Sequence, residues 1–200
     1  FIFDVQGSSL FPDNHKHYIL SLLNSKVSDY LLGVLNPTMV VQTGDLSALP
    51  LAVESRIYDD VVEAVRECVE IARRDFDQSE TSWQFSRNSL VQQNASSLKT
   101  AFEKWTEEAT TDLLRLHTHE EELNELFIDL YGLEDELSPR VALDDSTILE
   151  DELDRDALEA LDDERDDLSD YEPRKRFLAD DPDDATCQLE VPIRPFLTVG

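Results

Sequence analysis

Two histidine pairs, His15-Lys16-His17 and His117-Thr118-His119, are the residues most able to hold a metal or move a proton near neutral pH. Ligation from a helix needs partners three or four positions apart, because residues two apart point to different faces. Neither pair has that spacing, and no cysteine cluster or spaced His–Glu motif stands beside them. The histidines therefore read as solvated helix positions, and no metal ligand is assigned. Cys68 and Cys187 lie far apart. Cys68 falls on the apolar face of an expected helix and reads as a buried free thiol in a reducing compartment, not half of a disulfide. The acidic run after residue 144 lacks the alternation and mid-loop glycine of a calcium loop.

Catalytic loops are missing as well. A cofactor loop gathers glycines where a strand turns into a helix. The five glycines, Gly7, Gly33, Gly44, Gly132 and Gly200, are scattered singly. There is no nucleophile elbow and no Walker loop. Asn36-Pro37-Thr38-Met39 reads as a helix stop, since the residue before proline is pushed out of the helical region. No catalytic or cofactor-binding residue is assigned. Lys16, Asn24, Lys26, Gln42 and Thr43 could contact phosphates or base edges, and they cluster around one expected helix and the turn after it. Ordinary surface polarity accounts for the same residues.

The elements that would position these groups are mostly helical. Phe1–Val5 reads as a strand end, followed by a loop through Gly7 and Pro12. A helix capped by Asp13 or Asn14 then carries Tyr18, Ile19, Leu23, Val27, Tyr30, Leu31, Val34 and Leu35 at helical spacing, up to Asn36. Met39, Val40 and Val41 suggest a short strand, and Thr43-Gly44-Asp45 a turn. A second helix over about 54–76 presents Ile57, Val61, Val65, Cys68, Ala72 and Phe76. Residues 77–97 read as an irregular connector pinned by Trp83 and Phe85. From about 96 to 133, Phe102, Ala109, Leu116, Leu123 and Leu130 recur every seven residues, with Leu98, Trp105, Leu126 and Leu133 beside them. That is a heptad seam, which an antiparallel helix pair or coiled-coil packing would bury. Gly132 would end it.

Composition changes near residue 144. The stretch 144–184 holds 19 acidic and 5 basic residues. A short helix over about 148–168, with Leu149, Leu153, Leu158 and Leu161, is expected, and the rest reads as a solvated, partly disordered segment. Residues 191–200 resemble a strand without its partner. The fold class is thus mainly α: bundle-like or coiled-coil-like helices, a short β element near the N-terminus and an acidic C-terminal segment. The expected divisions are 1–53, 54–143 and 144–200.

The whole chain carries a formal charge of −28, from 45 acidic and 17 basic residues. Its apolar periodicity argues against disorder throughout. Lysine is scarce, 5 against 12 arginines, as adaptation to molar salt would make it. There a dense carboxylate surface stays soluble while self-repulsion is screened. An acidic regulatory tail is the other reading. No apolar run approaches the ~20 residues of a membrane span, and a cytoplasmic location is expected. The run from Phe1 reads like the inside of a domain, so the chain is taken as a detached piece.

The order of motifs is more specific than their chemistry. His15-Lys16-His17-Tyr18-Ile19-Leu20 leads into Leu22-Leu23-Asn24-Ser25-Lys26-Val27, then Asn36-Pro37-Thr38, Gln42-Thr43-Gly44-Asp45-Leu46 and Leu49-Pro50-Leu51. Further on stand Glu80-Thr81-Ser82-Trp83-Gln84-Phe85, Phe102-Glu103-Lys104-Trp105 and the run from Glu120 to Leu133, with Asp135-Glu136-Leu137 behind. Over about residues 11–143 this succession resembles the PglX-like adenine-specific DNA methyltransferases of the BREX phage-defence system. The early part is similar to the end of a target-recognition region in large adenine-specific methyltransferases. The resemblance implies a parent enzyme that moves a methyl group from S-adenosylmethionine to N6 of adenine in double-stranded DNA. It also implies other BREX subunits as partners. The family's Asn-Pro-Pro-aromatic turn, which stacks the flipped base, is not matched by Asn36-Pro37-Thr38-Met39. The piece itself is therefore expected to bind no cofactor and to be inactive alone, as the end of the recognition region with a helical spacer behind it. The alternative is a non-enzymatic module whose heptad helices dock another defence subunit, which predicts an exposed apolar stripe along 98–133.

Overall fold

The computed structural model describes residues 9–36, 38, 41–150, 152–159 and 193. Among the described residues α-helices follow in the order α1 (Lys16–Leu23), α2 (Lys26–Leu35), α3 (Thr43–Ala48), α4 (Ser55–Asp77), α5 (Ser89–Gln92) and α6 (Leu98–Tyr131). A 3-10 turn covers Leu143–Asp145. The mainly α class holds. The strand positions Phe1–Val5 and Met39–Val40, and residues 160–192 of the acidic segment, lie outside the described residues. The only β pairing among those described is an isolated bridge between Leu153 and Ile193.

The chain divides into two compact units, Phe1–Val69 with His119–Arg140, and Glu70–Thr118 with Val141–Gly200. In the first, Tyr18, Leu22, Val27, Ile57, Val61, Val65, Leu123, Phe127 and Ile128 form the core. Arg56 pairs with Asp129 and Glu67 with His119, so within this unit α4 and α6 run antiparallel. Tyr18 is fully buried, stacked on Tyr58 and edge-on to Phe127, each at 5.5 Å between ring centres. Its hydroxyl donates to the Ala52 carbonyl at 3.0 Å. Burial pushes the Tyr18 hydroxyl above its ordinary pKa.

The single helix expected up to Asn36 is two helices. At the break, the Asn24 side-chain amide donates to the Leu20 carbonyl at 2.8 Å and the Ser25 hydroxyl to the Leu22 carbonyl at 2.7 Å. Both residues satisfy α1's last carbonyls, and Ser25 then serves as N-cap of α2. Asp13 and Asn14 do not cap α1. His15 does so by position, with φ 59° and no side-chain cap bond.

Thr43-Gly44-Asp45 is not a turn but the first turn of α3. Asp45 lies three residues into that helix and accepts from the Gln42 backbone N–H at 2.8 Å, half of a capping box. The apolar row of α4 also drifts from the expected one. Ile57, Val61, Val65 and Ile71 are buried, whereas Ala72 is exposed and Phe76 is 60% exposed. Repeated steps of four overshoot a 3.6-residue turn, so the buried face moves to earlier positions.

The second unit buries Ile71, Trp105, Ala109, Leu113, Leu116, Leu143, Ile148, Leu149, Leu153 and Leu158. In the stretch 144–159 these buried side chains alternate with exposed carboxylates at Asp144, Asp145, Glu150, Asp156 and Glu159. No helix starts at 148: Leu149 has φ 54° and Leu153 sits in the β-bridge, while 155–159 are helical and 160–168 lie outside the described residues. Between the acidic side chains, the leucines of this stretch face the core.

Candidate nucleic-acid interface

All five residues selected as DNA contacts belong to the first unit. Lys16 opens α1 and is exposed. Asn24 and Lys26 flank the α1–α2 break. Gln42 is the N-cap of α3 and Thr43 its first residue, both exposed. No described hydrogen bond joins any of these side chains to another, so the structure does not gather them into one contact network.

Lys26 is held from two sides. Its backbone N–H donates to Asn124 Oδ1 at 2.9 Å, and its ammonium donates to the Arg140 carbonyl. Asn124, 5% exposed, also donates to the Pro139 carbonyl at 3.3 Å. Asn124 thus ties the start of α2 to the segment after α6. An amide in the middle of an acidic helix carries no sequence sign of that role. Lys26 has structural work of its own beside any contact with DNA.

Asp45 secures the other end of this surface. It accepts from the Gln42 N–H and, at 2.7 Å, from the Asn36 side-chain amide. These bonds favour the ionised form and lower its pKa, the Gln42 bond most. The Asn36 side chain is thereby tied to the first turn of α3, where Gln42 and Thr43 are exposed.

The histidines are less solvated than their spacing suggests. His117 is 6% exposed, and its Nε2–H donates to the Val141 carbonyl at 2.8 Å. His119 lies between Glu67 (Nε2, 3.0 Å) and Glu122 (Nδ1, 3.2 Å). Val141 and Glu67 reach His117 and His119 from other segments, while Glu122 reaches His119 from one turn on along α6. Among the described residues no three His, Cys, Asp or Glu side chains gather in a way that could hold a metal ion. Cys68 is a free thiol packed against the first core, and burial beside Glu120 and Glu67 pushes its pKa up to about 12. Cys187 lies outside the described residues.

No family model matches the chain. Among curated proteins, it is 39% identical over 146 residues to the adenine-specific methyltransferase PglX of Lacticaseibacillus casei (strain Zhang), a match covering 70% of this chain. It is 33% identical over 96 residues, 46% of this chain, to the adenine-specific methyltransferase BrxX of Escherichia coli O9:H4 (strain HS).

The chain is PglX-like. The matches span 12% of the length of PglX and 8% of that of BrxX. Gly33 and Gly44 lie inside helices, and Gly132 ends one. Among the described residues there is no strand for a glycine-rich turn to follow. No described helix is long and apolar enough to cross a membrane.

The second unit of the PglX-like chain holds a groove of about 1050 Å³. Arg74 makes a two-point contact with Asp112 along it, at 2.7 and 3.1 Å. Asp75 accepts the Leu149 N–H at 3.1 Å, and burial raises its pKa. Gln78 Oε1 accepts from the Trp105 indole at 2.9 Å and from Ser89 at 2.6 Å. Each of these groups has a partner within the unit, so they read as structure.

Trp83 is not the anchor its composition suggests, being 93% exposed. Ser82, buried beside it, donates to Asp77 at 2.6 Å and accepts from the Gln84 N–H at 3.1 Å. The serine holds the turn and the indole projects from it.

Proposed function

We propose that this chain is part of an adenine-specific DNA methyltransferase of BREX-type phage defence. The whole enzyme transfers the methyl group of S-adenosylmethionine to N6 of adenine in double-stranded DNA and marks host DNA apart from phage DNA. Within it, this stretch ends the target-recognition region and supplies the helical spacer behind it. The similarity to PglX over 146 residues carries the reading. The chemistry resides outside this chain, in keeping with its scattered glycines and its unmatched Asn-Pro-Thr-Met turn. Lys16, Asn24, Lys26, Gln42 and Thr43 contact phosphates or base edges. Other subunits of the defence system are partners.

An experiment on the complete enzyme tests the contact role. Gln42→Ala removes an exposed side chain, so it weakens methylation of the cognate duplex roughly tenfold or more, as loss of one base contact does, and leaves the melting temperature unchanged. Lys26→Ala also loses its bond to the Arg140 carbonyl, so it lowers both methylation and melting temperature. Methylation kinetics on cognate and scrambled duplexes, with melting curves for each variant, decide it. Methylation by Gln42→Ala at the unmodified rate overturns its role as a reader. The isolated chain is expected to bind no S-adenosylmethionine in a calorimetric titration, and saturable micromolar binding overturns that assignment.

A second reading, a docking module for another subunit, is favoured by Trp83 and by Phe76 shortly before it. Against it, Leu98 is the only exposed large hydrophobic side chain among the described residues of α6. The other seam positions, from Phe102 to Leu133, are buried or half-buried.

A further inference from the structure

Four basic side chains line one shallow depression of the first unit. His15, Lys16 and His17 come from the start of α1 and Arg66 from α4, and the depression has a volume of about 730 Å³. Tyr58 lines it too, with its hydroxyl 3.1 Å from His15 Nδ1 and its ring edge-on to the imidazole at 5.4 Å. Tyr58 in turn stacks on the buried Tyr18. The start of α1 is thereby fixed against α4, and Lys16 and Arg66 are brought to the same opening.

Carboxylates outnumber lysine and arginine by 45 to 17, so carboxylate partners are abundant on this chain. Arg56, Arg74 and Lys99 each pair with one. Lys16, His17 and Arg66 do not: among the described residues their side chains form no hydrogen bond or ion pair. Asp59 and Glu63 line the same depression, with Arg66 one turn beyond Glu63 on that face of α4. Lys16 and Arg66 share this opening with the two carboxylates and form no ion pair with either, which leaves their donors available to an anion.

We propose that this depression binds a phosphodiester group of double-stranded DNA, with Arg66 and Lys16 as the charged contacts and His17 as a hydrogen-bond donor. The inference rests on the DNA-contact reading above and adds to it Arg66, which no motif near Lys16 indicates. Arginine offers a planar fork that meets two phosphate oxygens together, while lysine adds a point charge. Asp59 and Glu63 hold the local charge near balance. The site therefore depends on short-range bonds to a correctly placed phosphate and attracts anions weakly at a distance. Such a contact sets the register of the protein on the duplex and reads no sequence.

The test uses the full 200-residue chain, a short duplex and fluorescence anisotropy over a range of KCl concentrations. Each lost phosphate contact reduces the slope of log affinity against log salt by ~0.9. Arg66→Ala and Lys16→Ala each show that reduction and weaken cognate and scrambled duplexes alike. Asp59→Asn combined with Glu63→Gln strengthens binding. Circular dichroism establishes that these surface variants stay folded. If the unmodified chain binds duplex and Gln42→Ala weakens it, while Arg66→Ala leaves both affinity and slope unchanged, this site is overturned and the wider DNA reading stands. If the unmodified chain binds no duplex, both fall. If Arg66→Ala abolishes saturable binding of inorganic phosphate but leaves duplex binding intact, the depression is a free-phosphate site and the assignment to DNA is overturned.

Discussion

Cys68 shows how far a residue's neighbours outweigh its type. Its thiol is pushed up to about 12 by burial first, and then by Glu120 and Glu67. The reactive species is the thiolate, so in the folded chain Cys68 is nearly inert. In a Cys187→Ser variant at about pH 8, Cys68 is expected to react with a disulfide reagent roughly a hundredfold or more slower than an unhindered thiol. Unfolding in denaturant restores the rate. Fast labelling of the folded variant would show that the thiol is neither buried nor shielded. The periodicity of α4 places Cys68 on the apolar side. The carboxylates that act on it come from α4 and α6 together, so their effect was not legible along either helix alone.

α6 was readable at its end and misleading at its surface. Gly132 terminates it with φ 65°; the Leu133 N–H bonds to the Ile128 carbonyl at 3.0 Å and the Gly132 N–H to the Asp129 carbonyl at 3.2 Å. This is a Schellman ending, with Leu133 and Ile128 both at the core. Space is open around Gly132, so a side chain there meets no neighbour and suffers only from the left-handed backbone. Gly132→Ala is therefore expected to cost about 1 kcal/mol, read from urea unfolding curves. An unchanged transition midpoint would show that the ending rearranges freely. The heptad repeat of α6 was visible, but it does not extend to Leu98, which is 64% exposed. The α1–α2 break was missed because Asn24 and Ser25 are compatible with an unbroken helix until their side chains take up the carbonyls of Leu20 and Leu22.

At the scale of the whole chain, a charge of −28 dominates. Like charges at this density repel one another, and salt screens them: the screening length falls from about 10 Å at 0.1 M to about 3 Å at 1 M. Melting temperature and helical signal in circular dichroism are expected to rise from ~0.1 M to ~1 M KCl. Equal melting temperatures at both ends would count against salt adaptation. The described ion pairs bear on this weakly. Arg56–Glu54 and Lys99–Glu103 are exposed pairs, typically worth ~1 kcal/mol or less, and salt screens them together with the repulsion.

The predominance of helix, the extents of α4 and α6, the stop near Asn36 and the PglX-like order of motifs were determined by the sequence itself. These depend on local periodicity, on backbone sterics at proline and on motif succession, which the chain carries without folding. Tertiary structure alone decided which polar residues meet. It set Asn124 under the Lys26 N–H, His119 against Glu67, and Lys16 and Arg66 on the rim of one depression. It also turned Leu149, Leu153 and Leu158 of an acidic stretch inward and left Trp83 outside. Such pairings arise between residues many turns apart, and their energies depend on burial and geometry that no spacing along one helix encodes.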